Sequence, residues 1–224
     1  NTSIDTGSTP ASQILAFTQS EGTKFEVFKT QFIWSKVTLN RGLFPTAGQS
    51  QSFALQVAVP GSSLTYSKLT YRHKYFKPIF DGRFVLGFRG EIGALEPYGD
   101  TEVAPFFEHY YAGGISSVRG FKQNTLGPRA IPSQFYLDNE GNPITGDDGN
   151  PILNPYSYYR DDRSIGGAYL IEGGFDFIFK LPFIEDQRSM RSSFFVDIGN
   201  VFSKDCGIDQ SNVNCSELDL GELR

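Results

Sequence analysis

One run in this chain alternates so strictly that a helix is excluded there. Across residues 51–59, Phe53, Leu55, Val57 and Val59 fall on one side, and Ser52, Ala54, Gln56 and Ala58 on the other. Side chains repeat every two residues in an extended strand, whereas a helical face repeats every 3.6. The same period recurs along the chain. Residues 25–39 set Phe28, Phe32 and Trp34 against Lys29, Gln31 and Ser35, with Ile33 an exception on the polar side. Residues 66–75 set Leu69, Tyr71 and Tyr75 against Lys68, Thr70, Arg72 and Lys74. Phe84, Leu86, Phe88, Ile92 and Ala94 then oppose Arg83, Gly87, Arg89, Glu91 and Gly93. Later, Tyr169, Ile171, Phe175, Phe177 and Phe179 alternate with Glu172, Gly174, Asp176 and Lys180, and Phe194, Val196, Ile198 and Phe202 with Arg191, Ser193, Asp197 and Gly199.

Gly and Pro punctuate these runs with turns at 40–48, Pro60-Gly61-Ser62 and Ile79-Phe80-Asp81-Gly82, and a further turn falls at 181–189. The reading is an all-β antiparallel meander of six strands, with 218–224 the beginning of a seventh. Residues 1–23, rich in Ser, Thr and Gly, end a loop in which 12–18 form a short helical turn.

Alternation leaves two architectures open. A soluble sandwich turns its apolar face inward, while a membrane barrel turns it to lipid and fills its lumen with small and charged residues. The polar faces here mix Gly, Ser, Gln, Arg and Asp with charges of both signs, which suits a lumen. The run lengths also fit strands of about 9–11 residues tilted across a bilayer. Both features favour the barrel. The smallest bacterial barrels have about eight strands, so the chain is expected to be part of a larger one, with strands missing at both ends. Asn1 as first residue and Met190 as the only methionine agree with a start inside a longer protein.

Composition closes other routes. No run of about 18 apolar residues occurs, so a membrane helix is excluded and a barrel is not. A net charge of −5 carries no nucleic-acid footprint. His73 and His109 stand in no recognisable arrangement with a serine or cysteine, and neither a dinucleotide fingerprint nor a P-loop is present, so no enzymatic site is expected. Cys206 and Cys215 share one polar stretch. In an exported protein they are expected to form a local disulfide, contributing about 2–3 kcal/mol by loop closure. Two cysteines with two distant histidines make a poor zinc set, and no metal or cofactor is expected.

Between the fourth and fifth runs lies a loop, 100–164, far longer than the usual limit of about 12–15 residues. It carries Phe106, Phe107, Tyr110 and Tyr111, then Val118, Arg119, Gly120 and Phe121. Arg119 offers a planar fork of donors, Phe121 an apolar anchor, and Gly120 a tight turn. Such a loop is built to dock. Asp138-Asn139-Glu140-Gly141-Asn142-Pro143 fails the calcium-loop pattern because Pro143 stands where glycine is required. The two Gly-Asn-Pro-Ile copies, at 141–144 and 149–152, better suit successive turns of a hairpin flap.

Residues 110–128, Tyr-Tyr-Ala-Gly-Gly-Ile-Ser-Ser-Val-Arg-Gly-Phe-Lys-Gln-Asn-Thr-Leu-Gly-Pro, resemble the sixth extracellular loop of the BamA family of outer-membrane protein assembly factors. That family's Val-Arg-Gly-Phe motif matches Val118, Arg119, Gly120 and Phe121. Asn40-Arg41-Gly42-Leu43-Phe44-Pro45-Thr46-Ala47-Gly48 resembles its recurring periplasmic turn. The resemblance covers most of the chain. It implies one partial outer-membrane barrel domain over 1–224, with six to seven of sixteen strands, loop 6 at 100–164 and a disulfide-bearing loop at 203–217. It further implies that Arg119 docks in the lumen against Asp197 and Asp176, acids on similar family strands. The family carries Glu where Asp176 stands, which shortens that reach.

The implied function is folding and insertion of β-barrel proteins into the Gram-negative outer membrane. The implied partners are nascent barrel proteins, outer-membrane lipid and, through regions not in this chain, accessory lipoproteins; nucleic acid is not among them. Two alternatives stand beside this reading. One is a two-partner secretion exporter of the same superfamily; the other is a soluble adhesive β-sandwich.

Overall fold

A computed structural model of the chain describes residues 2–4, 11–130, 132–138, 142–155, 164–181, 191–203, 221 and 223. The alternating runs hydrogen-bond in sequence order into one six-stranded antiparallel sheet. Its strands are β3 (Lys29–Val37), β4 (Gly48–Ala58), β5 (Tyr66–Ile79), β6 (Phe84–Pro97), β7 (Tyr169–Phe179) and β8 (Ser192–Phe202). Ahead of them come β1 (Thr2–Ser3), helix α1 (Ser12–Glu21) and β2 (Lys24–Phe25), with β1 and β2 paired as a separate ribbon. A 3-10 turn at Phe106–Glu108 opens the long connection between β6 and β7.

Three expectations change. The strand read over 66–75 runs on to Ile79, the residue expected to open the turn, because Pro78 and Ile79 still face Val85 and Phe84 across the ladder. The run 25–39 is not one strand. Lys24 and Phe25 pair with Ser3 and Thr2, and the backbone N–H groups of Glu26 and Phe28 are taken by the hydroxyls of Ser63 and Ser62, so the ladder begins only at Lys29. The short helical turn at 12–18 is a ten-residue helix. It ends at Gly22, whose φ of 95° is open to glycine and whose N–H reaches Thr18 O at 3.0 Å. Phe17 anchors this helix, with ring centroids 5.7 Å from Phe25 and 5.5 Å from Phe106. Cys206, Cys215 and most of the 218–224 tail lie outside the described residues, as do the disulfide and the seventh strand expected there.

Register builds cross-strand rows, and the rows define two faces. Trp34, Phe53, Tyr71, Ile92 and Ile171 follow one another across five strands. Tyr75, Phe88, Phe175 and Val196 form another apolar row on the same side. That side is bare: Phe194 is 70% exposed and Val196 68%. The opposite face carries the row Arg72, Glu91, Glu172, Gly199 and the row Lys74, Arg89, Gly174, Asp197. The long connection lies over this second face.

The polar face is not polar throughout. At the end nearest the long loop its residues are Ala58, Tyr66, Leu95, Leu170 and Val201, none more than 3% exposed. Phe17, Phe25, Ala104, Tyr110, Ala112, Val118 and Leu126 pack on them to form the core. Side chains roofed by the chain itself are screened from water, so apolar residues are favoured there by about 25 cal/mol per Å² of area removed.

Within the loop, the second Gly-Asn-Pro-Ile copy follows a turn in which Gly149 N–H donates to Gly146 O at 2.9 Å, while Gly141 of the first copy lies outside the described residues. Ile144 N–H donates to Tyr136 O, Ile152 N–H to Ile144 O, and Tyr136 N–H to Ile152 O, so three short segments close a ring of backbone hydrogen bonds. Asp138 and Asp148 each accept the backbone N–H of a following asparagine, Asn142 and Asn150.

Candidate functional site

Three glycines on adjoining strands open the loop-bearing face to the long connection. At Gly93 on β6, an added Cβ would lie 2.6 Å from Cζ of Tyr110, whose hydroxyl donates to Leu69 O at 2.7 Å and lies 2.9 Å from Thr70 Oγ1. At Gly199 on β8, an added Cβ would lie 2.9 Å from Val118 Cγ2. At Gly174 on β7, it would lie 2.7 Å from Asp197 Oδ1 and 2.8 Å from Arg89 Nε. Each missing side chain makes room for a group that crosses the sheet or descends from the loop.

Between these windows the loop turns tightly. Gly113 N–H donates to Ser117 Oγ at 3.0 Å and Gly114 N–H to Val118 O at 3.2 Å. Ser117 Oγ–H donates to the Glu172 carboxylate. Val118 is 1% exposed, packed in the core. Arg119 follows, and the chain then reverses at Gly120, where φ is 94°.

Arg119 meets Asp197 through a fork. Its Nε lies 2.6 Å from Oδ2 and its Nη2 2.8 Å from Oδ1, while its backbone N–H also donates to Oδ2 at 3.0 Å. Nη1 reaches Asp176 Oδ1 at 3.0 Å. Paired planar donors and acceptors of this kind are stronger than neutral hydrogen bonds and fix orientation. A second arginine joins them. Arg89 Nη2 lies 2.6 Å from Asp197 Oδ1 and donates to Ser117 O at 2.9 Å, so it holds both an acid and the loop backbone. Two cations face two anions. The Asp197 side chain is only 2% exposed, so its charge depends on these partners. The hydrogen bond it donates to Asp197, against the effect of burial and with help from Asp176, holds the Arg119 guanidinium above its ordinary value.

Below the fork, the Arg119 guanidinium lies 3.6 Å from the centroid of the Phe195 ring, within cation–π range. Phe121 does not bury its ring as expected; it is 39% exposed. The apolar partner of the arginine comes from the wall and not from the motif.

Nearer the outer end, Glu108 gathers Lys29, Lys68 and Tyr66. Lys29 Nζ donates to its carboxylate, Tyr66 Oη–H donates at 3.0 Å, and Lys68 Nζ lies at 3.5 Å. Burial works against the Glu108 charge, but the Lys29 hydrogen bond and the charges of Lys29 and Lys68 outweigh it and hold the carboxyl below its ordinary value. His109 is pushed down by burial and lies 3.0 Å from Ile165 O through Nδ1, a structural position.

The domain model of the Omp85 superfamily matches residues 1–220. The chain belongs to the Omp85 superfamily. The outer membrane protein assembly factor BamA of Neisseria meningitidis serogroup B is 30% identical over 176 residues, which is 79% of this chain and 19% of that protein. The crystal structure of BamA from Haemophilus ducreyi lacking POTRA domains 1-3 superposes with a TM-score of 0.66 at 27% identity, over 84% of this chain and 34% of that one. The chain therefore spans a fifth to a third of the length of these relatives.

Membership of the Omp85 superfamily fixes the orientation of the sheet. It is an antiparallel portion of a transmembrane β-barrel in the bacterial outer membrane, not a soluble sandwich. The bare aromatic rows are the lipid face, and the loop-bearing face is the lumen. Short turns of such barrels lie in the periplasm and long loops outside.

Arg89, Gly174, Phe195 and Glu172 were not among the residues singled out as a site, although their side of the sheet was legible. The signal that could have found Arg89 and Gly174 is the cross-strand row Arg89, Gly174, Asp197, which requires the register of three strands; Glu172 and Phe195 fall on the neighbouring rows, beside Gly199 and Asp176.

Proposed function

We propose that this chain forms the loop-holding wall of an outer-membrane protein assembly factor, a protein that folds and inserts β-barrel proteins into the outer membrane. The observation that carries the proposal is the forked seat of Arg119 on Asp197, in a chain 30% identical to a protein of that name. In this reading the wall supplies no chemistry: no bond is made or broken. It holds the long loop inside the lumen and keeps the barrel in the shape that client strands require. The clients are nascent outer-membrane barrel proteins, the surrounding lipid is the medium they enter, and accessory lipoproteins engage the protein through regions other than this chain.

Ordering a loop costs about 1–2 kcal/mol of backbone entropy per residue, so the seat must be strong. Removing one partner leaves Asp197 to Arg89, or Arg119 to Asp176, and loses the paired fork, at a cost of about 1.5–3 kcal/mol. The test is reconstitution of the full-length protein in liposomes with an unfolded barrel client, scored by the client's heat-modifiable migration. Arg119→Ala and Asp197→Ala are each expected to slow client assembly strongly, with Arg119→Lys intermediate because the fork is lost. Assembly at the wild-type rate in both alanine variants overturns the proposal. Export of a passenger through the lumen, with no client inserted, would assign the chain to an exporter of the same superfamily.

A further inference from the structure

At the periplasmic end of the sheet the turn between β3 and β4 comes back over the lumen face. Arg41, Phe44, Pro45 and Thr46 from this turn share one cavity of about 210 Å³ with Val85 and Ile178. Those two residues pair across β6 and β7 and stand an even number of positions from Arg89 and Asp176, on the lumen side. The volume is that of several waters, or of one acidic side chain with its neighbour.

Four basic residues line this cavity: Arg41, Arg83, Lys180 and Arg191. No carboxylate is among its described lining residues. Elsewhere in the lumen Lys29, Lys68, Arg72, Arg89 and Arg119 each have a carboxylate oxygen within 4.0 Å. None of the four at the cavity makes such a pair with a described residue. Among the described residues Arg41 Nη2 reaches Thr46 Oγ1, at 3.3 Å, and the Arg191 guanidinium lies 5.3 Å from the Phe76 ring centroid. Asp176, the acid that acts on Arg191 from a distance, is itself bound by Arg119 at 3.0 Å. Burial pushes Arg191 below its ordinary value; Asp176 opposes that and the Arg119 charge adds to it. Four like charges around one cavity repel unless an anion joins them.

The other walls state what accompanies that anion. Phe44, Pro45, Val85, Ile178 and Leu181 are apolar. A membrane lipid would have to bring its acyl chains through the lumen, because the cavity opens on the face opposite the bare aromatic rows. A polypeptide in the periplasm meets no such obstacle. We propose that this cavity binds an acidic peptide segment of a partner polypeptide, one carboxylate among the four cations and an adjoining apolar side chain against Phe44 and Leu181. The site is separate from the Arg119 seat and does not depend on the assembly function.

The test uses the full-length protein in zwitterionic nanodiscs and a fluorescent peptide, acetyl-Leu-Glu-Phe-Glu-Leu-amide, beside its counterpart with Gln for Glu. Saturable binding of the acidic peptide is expected, with the Gln peptide weaker by roughly tenfold or more, the worth of hydrogen bonds to a charged group. Lys180→Gln with Arg191→Gln should weaken the acidic peptide by roughly the same factor, and added salt should weaken it further. Val85→Trp, which fills the cavity and removes no charge, should also abolish binding; heat-modifiable migration shows that each variant is folded. Equal binding of the two peptides, or unchanged binding by the double variant or by Val85→Trp, overturns the proposal. So does displacement by an equal concentration of inorganic phosphate, or by phosphatidylglycerol in the nanodisc. Binding that emerges only after Glu185→Gln with Asp186→Gln would assign the anion to the chain itself and also overturn it.

Discussion

Arg89 and Asp197 meet across a strand that separates them. They stand on β6 and β8, yet Nη2 of the one lies 2.6 Å from Oδ1 of the other. The residue between them in the cross-strand row is Gly174. Without a side chain there, the guanidinium passes over β7 and reaches the acid that also receives Arg119. The loop arginine thus docks on an aspartate that the wall has already fixed.

Gly174→Ala should break this arrangement by size alone. The position carries no positive φ, so the backbone accepts alanine. The new Cβ would stand 2.7 Å from Asp197 Oδ1 and 2.8 Å from Arg89 Nε, and both side chains would have to move. A loss of about 1–3 kcal/mol, typical of overpacking, is expected in the thermal or denaturant unfolding of the full-length barrel. Stability equal to wild type would show that Arg89 does not hold Asp197.

Arg119 and Asp197 should be coupled, not additive. Each alanine substitution alone is expected to cost about 1.5–3 kcal/mol of loop docking, since Arg89 still pairs with Asp197 and Asp176 with Arg119, and the double variant little more than either. Protection of the 110–128 segment from protease, measured as a double-mutant cycle, reads the coupling. Additive or silent substitutions would place the loop in solvent, where an exposed pair is worth only about 0–1 kcal/mol.

Glu108 should make the outer end of the loop sensitive to acid. Its folded carboxyl is held below the ordinary value of 4.5, so its contribution is fully present above that pH. It is lost as the pH falls through the lower folded value, because the unfolded state then binds the proton more readily. Hydrogen exchange at His109 and Tyr110 should accelerate on acidification below about pH 4.5, and Glu108→Gln should remove that dependence while slightly raising exchange at neutral pH. Acid sensitivity equal in wild type and Glu108→Gln would remove Glu108 from the cause.

The two faces should separate by labelling. Single cysteines at Phe88, Phe194 and Val196 are expected to react with lipid-soluble maleimides and to resist water-soluble ones in the full-length barrel. Efficient labelling of these sites by the water-soluble reagent would contradict the lipid assignment of that face.

The sequence by itself marked the strand runs and the side that most of their residues take, though not where each ladder begins and ends. A period of two is a local property, so Asp176, Asp197 and Arg89 could be set on one face, and Phe88 and Phe194 on the other, without any contact being known. It also marked the loop arginine, since a long loop with a fork donor between tight turns must dock to be ordered. It did not determine which rungs meet, because register between strands is set by turns and packing far apart in the chain. Only the fold aligned Arg89, Gly174 and Asp197 in one row, and only the fold brought Phe195 under the guanidinium in place of Phe121. It also decided that the outer rungs of the charged face, at Tyr66, Leu95, Leu170 and Val201, are apolar. There the chain's own helix and loop replace water, and exclusion of water is a property of the tertiary structure.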